Sequence, residues 1–270
     1  MRLTYQFTLI QAIRNFFNSN GFMDVMTPPM VQNPGMETHI HPFEVFSKKS
    51  NQTTGLSLQT SPEFCMKELL SLKDEALDKI FNISYCFRDE PKSEIHRPQF
   101  LMLEWYRKNE RYESIMADCE KLISFCHYSL AHFGAPIKEL DLTPQRATVQ
   151  EVIKEFCGFD ILDFLDQSDL KQKIKKDFKE VPLPDIECEW DDYFFLLFLN
   201  LVEPNFKNYP VLLLYEFPSP LAALSTLKES DKRVCERFEV YLSGVELCNC
   251  FNELTDLREQ KKRFNEQARL

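Results

Sequence analysis

The sequence predicts an α+β fold, an antiparallel sheet flanked by helices, in one domain spanning residues 1–270. Three observations predict it. Segments with apolar residues at helical spacing share the chain with segments of strict two-residue alternation. The two clearest strand pairs, around 80–106 and 236–254, are joined by short local connections, which suit antiparallel pairing. A 44% hydrophobic fraction with 24 phenylalanines is enough for a substantial core, and no repeat or low-complexity linker divides the chain.

In chain order, Leu3, Phe7, Ile10, Ile13 and Phe17 fall at helical spacing over residues 3–20, and Gly21 stops that helix. "FMDVMTPPM" reads as a short strand ended by Pro28 and Pro29. Ser61-Pro62-Glu63 reads as an N-cap, a proline at the first helical position and an acid in the first turn of a helix running through "FCMKELLSL". Over 80–90, Phe81, Ile83, Tyr85 and Phe87 alternate with Asn82, Ser84, Cys86, Arg88 and Glu90. Over 100–106, Leu101, Leu103 and Trp105 alternate with Phe100, Met102, Glu104 and Tyr106, and Pro91 to Gln99 forms the hairpin loop. Helices are expected over about 112–132, 148–157, 168–178, 190–202 and 254–268, and "ERFEVYLSGVELCNCFNEL" as two strands joined at Ser243-Gly244.

The formal net charge of −10 argues against a broad nucleic-acid surface, which needs excess Lys and Arg to displace counterions. The nine cysteines form no CxxC framework and no signal peptide precedes them, which fits reduced thiols and a cytoplasmic protein. Cys248-Asn249-Cys250 offers half of a metal site with no second Cys/His pair to match it. The longest apolar run, Tyr193 to Leu199, is too short to span a bilayer, so no membrane partner is expected.

Two hairpins carry the chemistry. In the first, alternation collects Arg88, Glu90, Phe100, Glu104 and Tyr106 on one face. An arginine there can hold a phosphate bidentately and a phenylalanine can stack on a purine, with Lys92, His96 and Arg97 in the loop reaching outer phosphates. The same spacing suits a solvated sheet face with Arg–Glu pairs, and spacing alone leaves both open. In the second, a two-residue turn would pair Leu242 with Val245, Tyr241 with Glu246 and Glu239 with Cys248. Glu239 and Glu246 then lie diagonally on one face, within reach of one Mg²⁺, or else form a solvent-screened pair. Asn249, Phe251 and Glu253 have the opposite parity from Glu246, so the strand must bulge or twist if all are to serve one pocket.

"TPPM", "SPEFCMK", "FRDE…HRPQFLMLEWY" and "RFEVYLSGVELCNCFNELTD" together resemble the core of class II lysyl-tRNA synthetases, and most closely their short paralogues, the elongation factor P–lysine ligases. The resemblance runs from about residue 5 to 265. It implies ATP- and Mg²⁺-dependent activation of lysine or (R)-β-lysine as an acyl-adenylate, followed by transfer to a lysine of elongation factor P. Arg88 would be the catalytic residue, holding the α-phosphate and substrate carboxylate. Asp89, Glu90, His96, Arg97, Phe100, Glu246 and Leu247 would complete the ATP site, with Phe100 stacked on adenine. Ser61, Pro62, Glu63, Glu104, Tyr106, Asn249 and Glu253 would bind the substrate, and Glu239 and Glu246 the metal. Pro28 matches the motif 1 proline of a homodimer interface, and equally suits a simple strand stop.

Departures from the family pattern set the other expectations. The motif-1-like helix begins at the third residue, leaving no room for an anticodon-binding barrel, so tRNA is not expected as a partner. Motif 3 is absent before Leu270, so the fold is expected to be C-terminally truncated. Gln99, Arg97 and Ile95 replace the usual family residues, and Cys248 and Cys250 replace small ones, which would narrow the lysine pocket. Two further readings follow: an inactive synthetase paralogue that binds an amino acid or protein partner, and a lysyl-tRNA synthetase fragment.

Overall fold

The computed structural model describes residues 2–35, 40–91, 96–137 and 140–267. Lys92 and Ile95, expected in the hairpin loop, lie outside the described residues. The chain forms two compact units: Met1–Glu110 with Tyr128–Ala135 and Phe264–Leu270, and Arg111–His127 with Pro136–Arg263.

The first unit opens with helix α1 (Leu3–Ser19), whose spacing buries Ala12, Phe16 and Phe17. After Gly21 come short strands β1 (Met23–Asp24) and β2 (Met30–Val31), the hairpin β3 (Glu44–Ser47) and β4 (Gln52–Leu58), helix α2 (Glu63–Ser71), and the long hairpin β5 (Lys79–Phe87) and β6 (Gln99–Arg107). Two sheets result, ordered β1-β5-β6 and β2-β4-β3. Strands β5 and β6 pair without a slip, from Lys79↔Arg107 to Phe87↔Gln99. Their alternation therefore carries through: Phe81 and Trp105 share a face and close on Phe17, with ring centroids 4.9 Å and 5.3 Å away. The other face is not an open solvated one. Ile80, Asn82 and Cys86 are buried there, and Met66 of α2 packs with Val25 and Ile80, Tyr106 lying against them.

In the second unit, α3 (Tyr112–His132), which belongs to it as far as His127, is followed by β7 (Gln145–Thr148), α4 (Val149–Cys157), α5 (Gln167–Asp177) and α6 (Trp190–Leu197), which runs on through a wider turn at Phe198–Val202. Then come β8 (Val211–Pro218), β9 (Val234–Leu242), β10 (Val245–Phe251) and α7 (Leu257–Gln267). The sheet order is β10-β9-β8-β7. Helices α4, α5 and α6 bury Val152, Ile153, Leu170, Ile174, Phe194 and Leu197 in one core with Leu212, Leu214 and Tyr241 of the sheet. Helix α4 starts on a reciprocal cap between Thr148 and Glu151 and stops at Gly158 (φ 75°). Helix α3 approaches the opposite sheet face, its Tyr112 ring 6.5 Å from that of Phe238.

The α+β class holds, with three differences. The described residues form three sheets, and β1 pairs with β5, and β7 with β8, in parallel. Strands β2, β3, β4, β7 and β8 were not among the expected elements. Val211 to Leu214 are all buried, so β8 shows no alternation to read. Strand β5 stops at Phe87 rather than residue 90, because the Asp89 N–H turns to the His41 carbonyl at 2.8 Å instead of the β6 ladder.

Candidate active site

The first unit sets Arg88 at the end of β5, its N–H bonded to the Pro98 carbonyl at 2.9 Å. Its guanidinium lies over the Phe100 ring, 5.2 Å from the centroid, and its Nε donates to the Thr60 carbonyl at 3.4 Å. Cys86 pairs with Phe100 across the ladder, so Phe100 belongs to the covered face. Glu90 Oε1 accepts the His41 N–H at 3.1 Å, which ties residues 41 and 90 together, while Asp89, His96 and Arg97 are exposed. Buried Gln59 braces the segment. Its Nε2 donates to Ser84 Oγ (3.2 Å) and the Tyr85 carbonyl (2.9 Å), and its carbonyl accepts the Phe87 N–H (3.0 Å).

Further along the same face, the Tyr106 hydroxyl donates to Glu104 Oε1 at 2.6 Å. Glu63 forms an ion pair with Lys67 at 2.6 Å, one helical turn on. Helix α2 begins one residue later than the Ser-Pro-Glu reading placed it: Pro62 is the cap residue, and Ser61 Oγ accepts the Glu63 N–H at 3.4 Å. This unit thus groups an arginine, a stackable ring and two carboxylates already held by local donors.

The second unit carries a group of acids of its own. Strands β9 and β10 turn at Ser243 (φ 50°) and Gly244 (φ 83°), and Leu242↔Val245 and Glu246↔Tyr241 pair as expected. The register then slips between Glu246 and Cys248, so Cys248 faces Val240 and Asn249 faces Glu239. The expected Glu239–Cys248 pairing is thereby corrected. The bulge at Leu247 is the irregularity that the parity of Asn249 and Phe251 required. It brings Glu239, Tyr241, Glu246, Asn249 and Phe251 onto one face. Leu247 itself is exposed, and Glu253 lies just past the strand in a single bridge with Ser225.

Arg237 and Tyr241, which went unread as site residues, organise this face. Arg237 donates to Glu239 Oε1 (2.7 Å) and Asn249 Oδ1 (3.2 Å) and lies between the Phe217 and Phe251 rings. The Tyr241 hydroxyl donates to Glu239 Oε2 at 2.7 Å. Both share the parity of Glu239 within "ERFEVYL", which was the available signal. Glu203, distant in sequence, offered none. Its carboxyl is raised by burial and by Glu239. Loss of hydration, then the charges of Glu239 and Glu203, push Glu246 up to about 7 against the pull of Arg237. The Glu246 side chain keeps an exposed surface, so the like-charge repulsion is the firmer cause.

That repulsion marks a face deficient in positive charge, and its oxygen donors suit a hard cation. Among the described residues no group of three or more His, Cys, Asp or Glu is arranged to hold a metal unaided, so Glu239 and Glu246 fit Mg²⁺ only with ligands from elsewhere, such as phosphates. Cys248 and Cys250 do not share this face. Their strand partners are Val240 and Phe238, and Cys248 Sγ lies 3.9 Å from Cys119 Sγ of α3.

A family model of class II tRNA synthetases (D, K and N) matches residues 1–270. The chain belongs to the class II tRNA synthetase family. Similar proteins within this class II group include the elongation factor P–(R)-β-lysine ligase of Histophilus somni (strain 2336), 35% identical over 97% of this chain and 76% of that protein. That of Proteus mirabilis (strain HI4320) is 32% identical with the same coverage. Membership makes this class II chain a ligase-type enzyme, and class II ligases as a group use ATP and Mg²⁺. No described helix is long and apolar enough to cross a membrane.

Proposed function

We propose that the chain activates lysine or (R)-β-lysine with ATP and transfers the acyl group to a lysine of elongation factor P. The observation that carries this reading is the similarity, over 97% of this chain and 76% of the relatives, to ligases of that name. The two faces described above add the residue types that the chemistry needs.

Arg88 binds the α-phosphate and the substrate carboxylate, offsetting the charge that develops when the carboxylate attacks the α-phosphorus in line. Phe100 stacks on adenine, Glu90 and the Asp89 backbone meet its edge, and His96, Arg97 and Leu247 contact ATP. Ser61, Pro62 and Glu63 receive the substrate amino group, for which Glu63 exchanges its Lys67 partner. Glu104, Tyr106, Asn249 and Glu253 select a cationic side chain, because a neutral analogue leaves acids unpaired. Glu239 and Glu246 hold Mg²⁺, which supplies charge neutralisation for the phosphates. The acceptor amine then displaces AMP from the acyl-adenylate. Residues 1–270 serve as a single catalytic domain, the segment around Pro28 serves a homodimer, and the protein works in the cytoplasm.

Lysine-dependent ATP–pyrophosphate exchange tests the first step, and a mass increase on elongation factor P tests the second. Exchange with either amine is expected. Amine binding measured calorimetrically without any exchange in Mg²⁺–ATP would replace this reading with that of a non-catalytic binding protein.

A further inference from the structure

We propose that Cys119 and Cys248 form a modification site, a dithiol that a small disulfide such as oxidised glutathione converts to an intramolecular disulfide. All nine cysteines are free thiols, and this pair stands with its sulfurs 3.9 Å apart. A disulfide needs about 2.05 Å, so the sulfurs must close by roughly 1.9 Å. Strand β10 can supply that movement. Among the described residues it stands at the edge of its sheet, paired with β9, and its register is already broken beside Cys248. Helix α3 is the fixed partner, with Tyr112, Met116 and Cys119 buried along one side.

Exposure assigns the order of events. Cys248 is half-buried and Cys119 is 3% exposed, so Cys248 meets the oxidant first. The Cys248 thiolate attacks one sulfur of oxidised glutathione and releases one glutathione thiolate. The Cys119 sulfur, giving up its proton to the departing glutathione sulfur, then attacks the Cys248 sulfur of the mixed disulfide and releases the second glutathione. Two protein thiols are oxidised by two electrons, one glutathione disulfide is reduced to two thiols, and the two protons go to water or the leaving thiolates.

The bond has a consequence for the opposite sheet face. Cys248 lies between Glu246 and Asn249, so drawing it toward α3 shifts both away from Glu239. That consequence rests on the functional reading above; the bond does not.

The test treats the whole native chain with oxidised glutathione, blocks remaining thiols with N-ethylmaleimide, and maps peptides by mass spectrometry. Expected are a Cys119–Cys248 linked peptide lighter by two hydrogens, and two of the nine thiols lost to alkylation. Cys119→Ser should stop at a glutathione adduct on Cys248, and Cys248→Ser should leave Cys119 unmodified. Persistence of the glutathione adduct in the unsubstituted chain, a Cys248–Cys250 link, or no reaction at either thiol overturns the proposal. Where exchange activity is present, oxidation should lower it by roughly ten-fold or more, reversibly with dithiothreitol. An unchanged rate in the linked form overturns the coupling to the acid face. Absence of exchange in the reduced form counts against the functional reading and leaves the mass result standing.

Discussion

At the scale of single residues, Arg88 has both a positioning partner and a stacking partner, which suits the charge-delivering role proposed for it. Arg88→Ala should lower lysine-dependent pyrophosphate exchange by about 100-fold or more, and Arg88→Lys should recover little, since an ammonium cannot make the two parallel bonds of a guanidinium. Circular dichroism of both variants should match the unsubstituted chain. Glu246 makes a pH prediction. Its folded value near 7 exceeds the ordinary carboxylate value of 4.5, so the folded chain binds more protons than the unfolded chain between those pH values. Stability from this group is fully present below about 4.5 and is lost as pH rises through about 7. The melting temperature should therefore fall less between pH 5 and pH 8 in Glu246→Gln than in the unsubstituted chain. A cation at this face should reverse the trend, because binding favours the ionised acid. Among site residues, the Arg88–Phe100 and Glu239–Glu246 groupings were legible from two-residue alternation. Glu203 was not, because its approach to Glu239 is made by the fold and not by spacing.

At the scale of elements, the β9–β10 hairpin shows what local sequence can specify. Ser243 and Gly244 both have positive φ, as a two-residue hairpin turn requires, and the turn was readable for that reason. Gly244 carries a second constraint that no sequence shows: a Cβ there would lie 2.9 Å from the backbone nitrogen of Lys207. At Gly158, the stop of α4, nothing lies within 4 Å of a Cβ. Asparagine tolerates left-handed backbone, so Gly158→Asn should cost under about 1 kcal/mol, whereas Gly244→Asn should cost on the order of 1–3 kcal/mol. Urea denaturation of the two variants measures the difference, and equal losses would mean that the Lys207 backbone yields freely. The bulge after Glu246 was required on parity grounds, but its place could not be read, since any residue between 246 and 249 would have served. The amphipathic helices α1, α3, α4 and α5 were legible to within about a residue. The parallel strand β7 was not, and neither was the parallel pairing of β1, because their partners lie far along the chain and no local turn announces them.

At the scale of the whole molecule, charge argues about partners more directly than any single residue does. Class II membership alone leaves tRNA and protein acceptors both open. The chain carries 42 acidic against 32 basic side chains. A tRNA ligand gains affinity chiefly by releasing counterions to lysines and arginines, and a surface with a ten-charge acidic excess repels the polyanion beyond short range. A protein acceptor has no such uniform charge and presents one amine to one site. In filter binding at about 0.15 M salt, where the Debye length is about 8 Å, total tRNA should not be retained at protein concentrations up to about 10 μM. Lowering the salt should recover only weak binding with a shallow salt slope, reporting few phosphate contacts. In the same buffer, elongation factor P should become acylated when lysine or (R)-β-lysine and ATP are supplied. Micromolar tRNA retention with a steep salt slope would point to a basic tract that overrides the net charge, and aminoacylation of that tRNA would favour the tRNA synthetase reading over the protein ligase.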